Sequence, residues 1–494
     1  MRFLRPVDKF LNGITMYRLV MWGLAIVAAY SFAASFLGLV GYNWILLAAS
    51  LFALLIACFV SNLVLSRVFK APTNVESSWI TGLILFFTLA PAQDLNGFLL
   101  LALAAAVAMA SKYVVAWKKH HIFNPAAFAL FALSVGGSGI ALWWVGTPAM
   151  LPAVLLLGLL VVRKIRRFDA FLSFAVAAIA VGILFGLAQG FGVLDTLKTL
   201  FLSWPLMFMG TIMLTEPFTM PPSRPLRVVY GAIVGALFSM QFHFGPVYST
   251  PELALLLGNI YAFIVGSRQR LMLTLSEIVP LSPGVYEFVF RTSEKPRFKA
   301  GQYLEWTLPH QKPDLRGNRR YLTISSSPDS GDIRFGTRMS DRPSPFKQAL
   351  MKLKPGDTLT AAALGGDFTL PKEETRPLVF IAGGIGITPF ASMLRHMLKE
   401  GESRDITLIY AANSENDFAY RELIENAKAK AGLKPVYLAG AHITKETITQ
   451  NVADMASAMF YISGPDIMVR IYREMLARLG AHRSHIKSDY FPGL

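Results

Sequence analysis

The sequence contains a single cysteine, Cys58, among 494 residues. One thiol excludes an intrachain disulfide and a four-cysteine iron–sulfur cluster within this chain. Histidine is also scarce in the first half, which contains only His120, His121 and His243. Because His120 and His121 are adjacent in a predicted loop, these three cannot supply the two facing pairs that a membrane cytochrome with two haems requires. The residues therefore predict no metal site.

Charged residues are also few. They make up 16% of the chain, whereas 54% is hydrophobic, and the mean hydropathy is +0.46. The net charge of +16 would suit nucleic-acid binding, but the basic residues lie between apolar runs rather than on one soluble surface. This distribution favours the positive-inside bias of a membrane protein, so no nucleic-acid partner is predicted. The first apolar stretch lacks a small-residue cleavage site, so no cleavable signal peptide is predicted.

Apolar runs fill residues 1 to about 266, and a mixed sequence follows. A bilayer-crossing helix needs about 20 apolar residues. The third, fifth, sixth and eighth runs are shorter, which is tolerated at membrane depth only where a segment packs inside protein or lines a cavity. About ten spans are predicted: Met16–Leu37, Trp44–Leu65, Ser78–Ala90, Gly97–Trp117, Asn124–Val135, Leu151–Val162, Leu172–Ala188, Trp204–Leu214, Val228–Phe244 and Pro251–Val265.

Lysine and arginine are concentrated in alternate connections. Basic residues precede the first span and follow every even-numbered span, whereas residues 91–96 and 136–146 contain none, with Lys198 as the main exception. This bias predicts a multi-pass protein of the inner (cytoplasmic) membrane with both termini in the cytoplasm.

Two of the short spans have similar sequences. "SSWITGLILFFTLAP" and "LSWPLMFMGTIMLTEP" share the order Ser-Trp, Gly, Thr, Pro, and they are five spans apart, so they run in opposite directions. Short spans at matching positions of two inverted halves indicate a central binding site. In "HHIFNPAAF", Asn124 and Pro125 are typical of a helix start, where free N–H groups favour an anion. An ordinary helix start accounts for these two residues equally well.

These stretches resemble a known family of membrane subunits. "NVESSWITGLILFFTLAP", "KHHIFNPAAFAL" and "LFLSWPLMFMGTIMLTEPFTM" resemble the D subunit of the Rnf complex and the B subunit of the sodium-pumping NADH:quinone reductase. The resemblance covers most of residues 1–266. It implies a membrane domain of about ten helices in two inverted halves that binds a flavin, either FMN or riboflavin.

The resemblance also raises the question of a covalent flavin. In these subunits a threonine between the fifth and sixth spans can carry FMN through a phosphoester. Thr147 is the one threonine in that connection, and Trp143 and Trp144 nearby could stack on the flavin rings. The connection is short and lacks the Ser-Gly-Ala-Thr signature, so an interfacial aromatic belt followed by a turn is the alternative.

The second half of the sequence shows different periodicities. Short strand signals separated by turns over residues 271–372 predict a small antiparallel β-barrel. Strand and helix signals alternate over 376–494, which predicts a parallel sheet covered by helices on both faces. In "VFIAGGIGITPF" a buried strand leads into glycines and then a helix. Gly383, Gly384 and Gly386 would let the backbone approach a pyrophosphate at that helix N-terminus.

The ordered motifs "NRRYLTISSSP", "GGIGITP" and "YISGPDIM" resemble the ferredoxin–NADP reductase superfamily over about residues 270–494. The resemblance implies FAD as cofactor and NADH or NADPH as substrate. Arg320 matches the flavin-phosphate arginine, Thr323 the hydroxyl beside the reactive ring and Ser326 the later serine. The motif tyrosine falls on Leu322, and Tyr321 is the neighbouring aromatic residue.

The same resemblance extends to the nucleotide motifs. The nicotinamide loop corresponds to Gly383, Gly384, Gly386, Thr388 and Pro389. The family's Cys-Gly-Pro becomes Ser463, Gly464 and Pro465, and its acidic-aromatic tail matches Asp489 and Phe491. Thr323, Ser463 and Asp489 are the candidate catalytic residues.

Together these patterns predict a membrane-bound flavoprotein oxidoreductase with a transmembrane domain (1–266), an FAD-binding barrel (271–372) and an NAD(P)-binding α/β domain (376–494). Electrons from cytoplasmic NAD(P)H would enter FAD and then a second flavin, because the hydrocarbon core is about 30 Å thick. They would reach a quinone or an extracytoplasmic flavoprotein. A redox-coupled ion pump and a transporter with a nicotinamide-sensing domain are the alternatives. Glu415 and Asp417, which would repel a 2′-phosphate, favour NADH over NADPH.

Overall fold

The computed structural model describes residues 5–70, 75–117, 120–137, 141–245, 247–266, 271–294, 296–311 and 313–491. The chain divides into two compact units, Met1–Arg268 and Gln269–Leu494. The first unit has one large hydrophobic core, and the second has separate clusters for its two sheets.

The first unit is helical. Thr15, Asn43, Asp94 and Asn124 cap four of its helices, since each side chain accepts a hydrogen bond from a backbone N–H two or three residues later. The helices are α1 (Arg5–Gly13), α2 (Met16–Phe36), α3 (Trp44–Val68), α4 (Val75–Thr88), α5 (Leu95–Val114), α6 (Pro125–Val135), α7 (Leu151–Ile165), α8 (Phe168–Ala188), α9 (Val193–Leu202), α10 (Leu206–Phe208), α11 (Arg224–Ser239) and α12 (Pro251–Val265). Two short ribbons pair β1 (Ala116–Trp117) with β2 (His120–His121) and β3 (His243–Phe244) with β4 (Val247–Tyr248).

Each of the ten predicted spans contains a helix. In the described residues α2, α3, α5 and α8 are long and apolar enough to cross a membrane, by length and composition. Helix α4 has 14 residues, which gives a length of about 21 Å at 1.5 Å per residue. The eighth predicted span is irregular, because α10 continues as a π-helical turn, Met209–Met213. The ten-span topology remains a prediction.

Helix packing follows a similar pattern in the two halves of this unit. Helix α3 packs against α4 and α5, and α5 packs against α6; likewise α8 packs against α11, and α11 against α12. Glycines allow the closest of these approaches. A Cβ added at Gly231 or Gly235 of α11 would lie 2.4 Å from the Ala170 carbonyl oxygen or 2.2 Å from that of Phe174. This small-residue spacing is typical of tightly packed membrane helices.

The second unit begins with a six-stranded antiparallel sheet in the order β8-β7-β10-β5-β6-β9. Leu271, Leu273 and Leu275 alternate toward its core, as the period of a half-buried strand requires. The edge strands β8 and β9 contact each other, so the sheet curls round. Its elements are β5 (Leu271–Ser282), β6 (Val285–Thr292), β7 (Tyr303–Thr307), β8 (Arg319–Thr323), β9 (Asp332–Arg338), α13 (Pro345–Met351) and β10 (Thr358–Gly365).

A five-stranded parallel sheet in the order β13-β12-β11-β14-β15 follows. The predicted reductase module with an antiparallel and a parallel sheet is therefore confirmed. The elements are β11 (Leu378–Gly383), α14 (Thr388–Glu400), β12 (Ile406–Ala412), α15 (Arg421–Lys430), β13 (Leu433–Ala439), α16 (Lys445–Asn451), β14 (Met459–Pro465), α17 (Asp466–Arg478) and β15 (Ile486–Phe491).

Candidate active site

The glycine loop joins the central strand β11 to α14. Gly384 has φ +53°, and a Cβ added to it would meet no atom within 4 Å, so the space in front of the loop is open. Gly386 has the opposite surroundings, because its Cβ would lie 2.3 Å from the Ser463 carbonyl oxygen. The structure therefore brings the loop and the Ser463-Gly464 segment together. Open space before backbone N–H groups at a helix start suits a pyrophosphate.

Ser463 lies near the end of β14, where it pairs with Ala382 of β11 and with Asp489 of β15. Its side chain is fully buried, and its Oγ has no hydrogen-bond partner among the described residues. Buried hydroxyls are normally hydrogen-bonded. The Ser463 hydroxyl is therefore a polar group that the described residues leave unsatisfied beside the glycine loop.

The remaining predicted nucleotide residues surround this point. Thr388 is buried, and its hydroxyl donates to the Ile385 carbonyl oxygen at 2.7 Å. It thereby fixes the turn rather than facing outward. Pro389 occupies the first turn of α14, where its missing N–H costs nothing. Phe491 ends β15, but its side chain lies outside the described part of the chain.

Arg320 lies on β8 at the edge of the barrel sheet. Its Nη1 donates to the carbonyl oxygens of Arg316, Gly317 and Arg319 at 2.7–3.0 Å, and its Nη2 reaches the Asp314 carboxylate at 3.1 Å. Burial lowers the pKa of Arg320, and the Asp314 carboxylate opposes that change. The guanidinium remains charged and is held in one place, but the protein itself already uses both Nη groups, so a phosphate would have to exchange with the Asp314 carboxylate.

The other face of β8 carries Tyr321 and Thr323. Tyr321 is 54% exposed and makes an edge contact with Tyr303 of β7, with ring centroids 5.6 Å apart. Thr323 is buried and pairs with Tyr303 in the sheet register. Tyr303 packs against Gly366, where an added Cβ would lie 3.2 Å from its ring. Tyr303 was not among the predicted site residues, although "GQY" and "GGDF" are the two segments that form this contact.

The serines that follow β8 point inward. Ser326 is fully buried; its Oγ accepts a hydrogen bond from the Arg334 N–H at 3.2 Å, and its carbonyl oxygen accepts one from Ser392 Oγ of α14 at 2.7 Å. The Ser326 hydroxyl is therefore used by the protein itself. Its contribution to the site is to hold the backbone after Thr323 in place.

A buried ion pair, which we call the Glu287 clamp, joins strand β6 of the barrel sheet to helix α14, which packs on the parallel sheet. The Glu287 carboxylate forms two hydrogen bonds of 2.8 Å with the Arg395 guanidinium of α14. Ser325 Oγ and Tyr420 Oη also donate to it. Burial alone would raise the pKa of Glu287, but Arg395, Ser325 and Tyr420 together lower it. The sequence analysis missed this clamp, because its members are far apart in the chain.

In the first unit the structure does not leave Trp143 and Trp144 accessible for the predicted stacking on a flavin. They are 5% and 3% exposed; Trp143 Nε1 donates to Glu252, and Trp144 Nε1 donates to the Phe86 carbonyl oxygen. The Trp144 ring also contacts Tyr42 and Phe86. Burial in the core removes the open faces that stacking requires. The nearby Thr147 hydroxyl is buried and has no hydrogen-bond partner among the described residues.

A second polar site, which we call the central polar cluster, comprises His121, Asn124, Glu216, Tyr230 and Asn259. The Glu216 carboxylate lies 3.2 Å from His121 Nε2 and accepts a hydrogen bond from Asn124 Nδ2 at 2.9 Å. Asn259 Oδ1 accepts from the Asn124 N–H, and its Nδ2 donates to Tyr230 Oη. The cluster thus connects residues from both halves of the unit.

Comparisons with known proteins place the second unit. A family model described as an oxidoreductase NAD-binding domain matches residues 380–474. The chain is 29% identical over 234 residues to ferredoxin–NADP reductase B of Sorangium cellulosum (strain So ce56), covering 43% of this chain and 93% of the relative. It is 26% identical over 214 residues to a flavohemoprotein of Bacillus thuringiensis subsp. konkukian (strain 97-27). That match covers 39% of this chain and 53% of the relative. The chain spans about half the length of the flavohemoproteins it matches.

Among solved structures, the flavohem-like FAD/NAD binding domain of nitric oxide dioxygenase from Vibrio cholerae O1 biovar El Tor is similar, with 22% identity and a TM-score of 0.40. The match covers 45% of this chain and 98% of that one. From the sequence relatives and the family model, the C-terminal half of the chain is an NAD(P)H-dependent flavin oxidoreductase module that binds FAD and a nicotinamide nucleotide, and it is similar in sequence to ferredoxin–NADP reductases and flavohemoproteins.

Proposed function

We propose that this protein oxidises cytoplasmic NAD(P)H through FAD and passes the electrons through a second flavin in its membrane domain to a quinone or an extracytoplasmic flavoprotein. One observation carries the proposal: the oxidoreductase module shares its chain with four helices long and apolar enough to cross a membrane. FAD accepts a hydride and can release electrons singly, which a nicotinamide cannot do. In this chain Arg320 would hold the FAD phosphates, and the loop Gly383–Pro389 the nicotinamide nucleotide.

Helix packing supports a first unit built from two inverted halves. The helix pairs α3/α5 and α5/α6 of the first half correspond to α8/α11 and α11/α12 of the second. Between the halves α2 packs against α7, and α6 against α12, which are corresponding helices. Corresponding helices are five spans apart, so they run in opposite directions. Phe87 at the end of α4 contacts Phe208 of α10, with ring centroids 5.9 Å apart, so the two short segments meet.

The central polar cluster is the proposed site of the membrane flavin. Membrane-domain sites at the interface of inverted repeats use discontinuous helices and exposed helix N-termini. Here α6 begins at Asn124, and Glu216 follows the π-helical turn Met209–Met213. A flavin carries a flat apolar body with hydrogen-bonding groups along one edge. The amide of Asn124, the Glu216 carboxylate and the ring of Phe218, which lies 5.7 Å from that of His121, match these two requirements.

Flavin stoichiometry tests the proposal. Full-length protein purified in detergent should release FAD together with FMN or riboflavin on denaturation. Arg320→Ala should lose FAD and keep the second flavin, whereas Glu216→Gln should lose the second flavin and keep FAD. Protein that carries FAD alone would overturn the two-flavin path. A flavin mass that stays on the denatured chain, and is absent in Thr147→Ala, would assign Thr147 as a covalent attachment site.

Electron transfer across the bilayer is the direct functional test. Proteoliposomes that contain trapped ferricyanide should reduce it when NADH is added outside, and Glu216→Gln should slow this reaction while leaving NADH oxidation by an external dye unchanged. Equal reduction of trapped ferricyanide by wild type and Glu216→Gln would remove the cluster from the path. Reduction of an added quinone without reduction of trapped ferricyanide would select the quinone as the acceptor.

Membrane topology can be tested separately. The connection between α6 and α7 is proposed to face away from the cytoplasm. Gly139, in the middle of this connection, lies outside the described residues, but Leu142 is described and is 52% exposed. In a Cys58→Ser background, Leu142→Cys should react with an impermeant thiol reagent in intact cells. Reaction only after lysis would reverse the proposed orientation.

Redox-coupled ion transport is the second candidate function. Lys112 of α5 is partly buried among neutral oxygens, since its Nζ donates to Ser77 Oγ at 3.0 Å and to Thr81 Oγ1 at 3.1 Å. Ionisable groups within membrane helices commonly mark ion or proton paths. NADH-driven sodium uptake or acidification in proteoliposomes would support this candidate, and electron transfer without either flux would reject it.

A further inference from the structure

One face of α14 lies along the barrel sheet. Ser392 donates to the Ser326 carbonyl oxygen, Arg395 forms the Glu287 clamp, and Lys399 donates to the Asp329 carbonyl oxygen. These three residues are spaced by three and four positions, which puts them on one side of a helix. The same side of α14 continues through its C-terminal turn, which lies beside the loop that follows Ser325 and Ser326.

At this end of α14 three metal-ligating side chains converge. His396 and Glu400 are four residues apart on the helix, and Asp329 comes from the barrel loop. The carboxylate oxygens of Asp329 and Glu400 and a ring nitrogen of His396 all lie within 4.8 Å of one another. Ligand atoms around one zinc ion are about 3.3–3.6 Å apart in a tetrahedron with metal–ligand distances near 2.0–2.2 Å. Rotation of the exposed Glu400 side chain, together with exchange of the present contacts of Asp329 for the ion, would close the difference.

Two further observations indicate that a ligand belongs here. His396 Nδ1 is buried, and no described residue hydrogen-bonds to it. Metal-ligating histidines bind through one ring nitrogen while a group outside the ring orients the other. Glu400 is the last residue of α14, where the negative end of the helix dipole disfavours a carboxylate. A bound cation would offset that repulsion.

We propose that Asp329, His396 and Glu400 bind one divalent cation of the zinc class. An imidazole combined with two carboxylates suits Zn²⁺ or Co²⁺, whereas Mg²⁺ and Ca²⁺ prefer ligand sets made only of oxygen. The ion would connect the loop that carries Asp329, between β8 and β9, to α14, the helix that starts at the glycine loop. Its role is structural, and water would fill the remaining coordination positions. The sequence analysis predicted no metal site because Asp329 and His396 belong to different domains.

Zinc binding to the full-length protein tests this site. Chelator-treated protein in detergent at pH 8, where an ordinary imidazole is neutral, would be dialysed to equilibrium against zinc chloride, and bound zinc would be measured by atomic absorption. Wild type should bind one zinc more than His396→Ala and one more than Glu400→Gln. His442→Ala, which removes an exposed histidine elsewhere in the module, is the control and should match wild type. Equal zinc binding by all four proteins would overturn the site.

The temperature at which FAD fluorescence appears tests the structural role. Zinc should raise it by several degrees in wild type and in His442→Ala, because a ligand that binds only the folded state stabilises it. It should not raise it in His396→Ala or Glu400→Gln. An equal rise in all proteins, or no rise in wild type despite bound zinc, would show that the ion does not tie the two domains. Neither measurement uses an electron acceptor, so the outcome is independent of the proposed electron path.

Discussion

Buried polar groups are satisfied differently in the two units of this molecule. In the helical unit most buried serine and threonine hydroxyls donate to a carbonyl oxygen three or four residues earlier in their own helix, as Ser31, Thr88 and Thr211 do. In the reductase unit some of them connect different elements, as Ser325 does with Glu287 and Ser392 with Ser326, whereas Thr388 donates within its own turn. A helix surrounded by lipid must satisfy its polar groups within itself, whereas a water-soluble domain is free to use them as cross-links.

This difference in hydrogen bonding separates polar groups that stabilise the fold from polar groups that serve the function. The Glu287 clamp is one of several polar connections between the barrel and the nucleotide sheet, so we interpret it as structural. The central polar cluster connects four separate segments in a unit where self-satisfied hydroxyls predominate. We therefore interpret Glu216 as functional and Glu287 as a determinant of stability. Variants at these two carboxylates should separate the two roles.

The largest expected effect is the loss of stability in Glu287→Ala. Removing one partner of a buried pair leaves Arg395 uncompensated, which costs about 3–5 kcal/mol in comparable cases. Denaturant unfolding of the full-length protein, monitored by FAD fluorescence, should show the reductase unit unfolding at a lower denaturant concentration than in wild type. Glu474→Ala, at an exposed position of α17, is the control and should unfold like wild type. Glu216→Ala should leave this transition unchanged, and a shift as large as that of Glu287→Ala would contradict the comparison.

Arg320→Ala should have the next largest effect, on FAD affinity. The guanidinium is held by Asp314 and three carbonyl oxygens, and losing a charge-assisted phosphate contact of about 1.5–3 kcal/mol should weaken FAD binding at least about tenfold. The matched control is Arg319→Ala, whose guanidinium lies 3.6 Å from Glu305 on the other face of β8. Fluorescence titration of deflavinated protein measures both affinities. Equal losses in the two variants would mean that Arg320 does not bind the cofactor.

The clamp should also make the reductase unit sensitive to acid. Because the pKa of Glu287 is lowered in the folded state, its stabilising contribution is fully present above the ordinary glutamate value, about 4.3. It is lost as the pH falls through the lowered folded value. The temperature of FAD release should therefore fall below about pH 4 more steeply in wild type than in Glu287→Gln. Parallel profiles would contradict the assigned pKa shift.

Coenzyme preference should respond more weakly. Arg421 Nη2 lies 2.6 Å from the Glu415 carboxylate, and both side chains are largely exposed. Glu415→Gln should release Arg421 and remove a negative charge, so kcat/KM for NADPH should rise several-fold while that for NADH changes little. Adding Arg421→Ala to this variant should abolish the gain. Wild type that already uses NADPH better than NADH would contradict the predicted NADH preference.

Ser463→Ala is expected to have the smallest effect on stability. Its hydroxyl has no hydrogen-bond partner among the described residues, so its removal relieves a buried unsatisfied group and should not destabilise the protein by more than about 0.5 kcal/mol. NADH-dependent reduction of FAD, measured by stopped flow, should slow if the hydroxyl contacts the nicotinamide. An unfolding shift larger than this limit would show that the hydroxyl is used by the protein rather than by the ligand.

Sequence patterns predicted the local structure well and the long-range contacts poorly. The predicted spans contain helices because apolar composition and caps such as Asn43 and Asp94 act over a few residues. The glycine loop was placed correctly between strand and helix because its constraints are local. The π-helical turn after α10 was not predicted, since it depends on packing around Gly210 and Phe174, where an added Cβ would lie 2.7 Å from the ring.

The missed contacts have a common physical cause. Glu287 and Arg395 meet only when β6 and α14 pack together, and no local spacing marks that pair. The inward orientation of Ser326 depends on the position of Arg334 in the next strand. Trp143 and Trp144 were predicted to stack on a flavin because of the resemblance around Thr147, with an interfacial belt as the alternative, yet Glu252 and Phe86 accept hydrogen bonds from their N–H groups in the core.

The Glu287 clamp also limits how this reductase can be recombined with its relatives. A chimera that exchanged only the nucleotide-binding domain, to change coenzyme choice or electron source, would replace Arg395 and Tyr420 but keep Glu287 on β6. The transplanted junction would then keep Glu287 beside Arg334 and Ser325 of the barrel, and the donor domain would have to supply an arginine in place of Arg395. Exchanging the barrel and the nucleotide domain together preserves the clamp, so the smallest safely portable unit of this chain is the whole reductase rather than either of its domains.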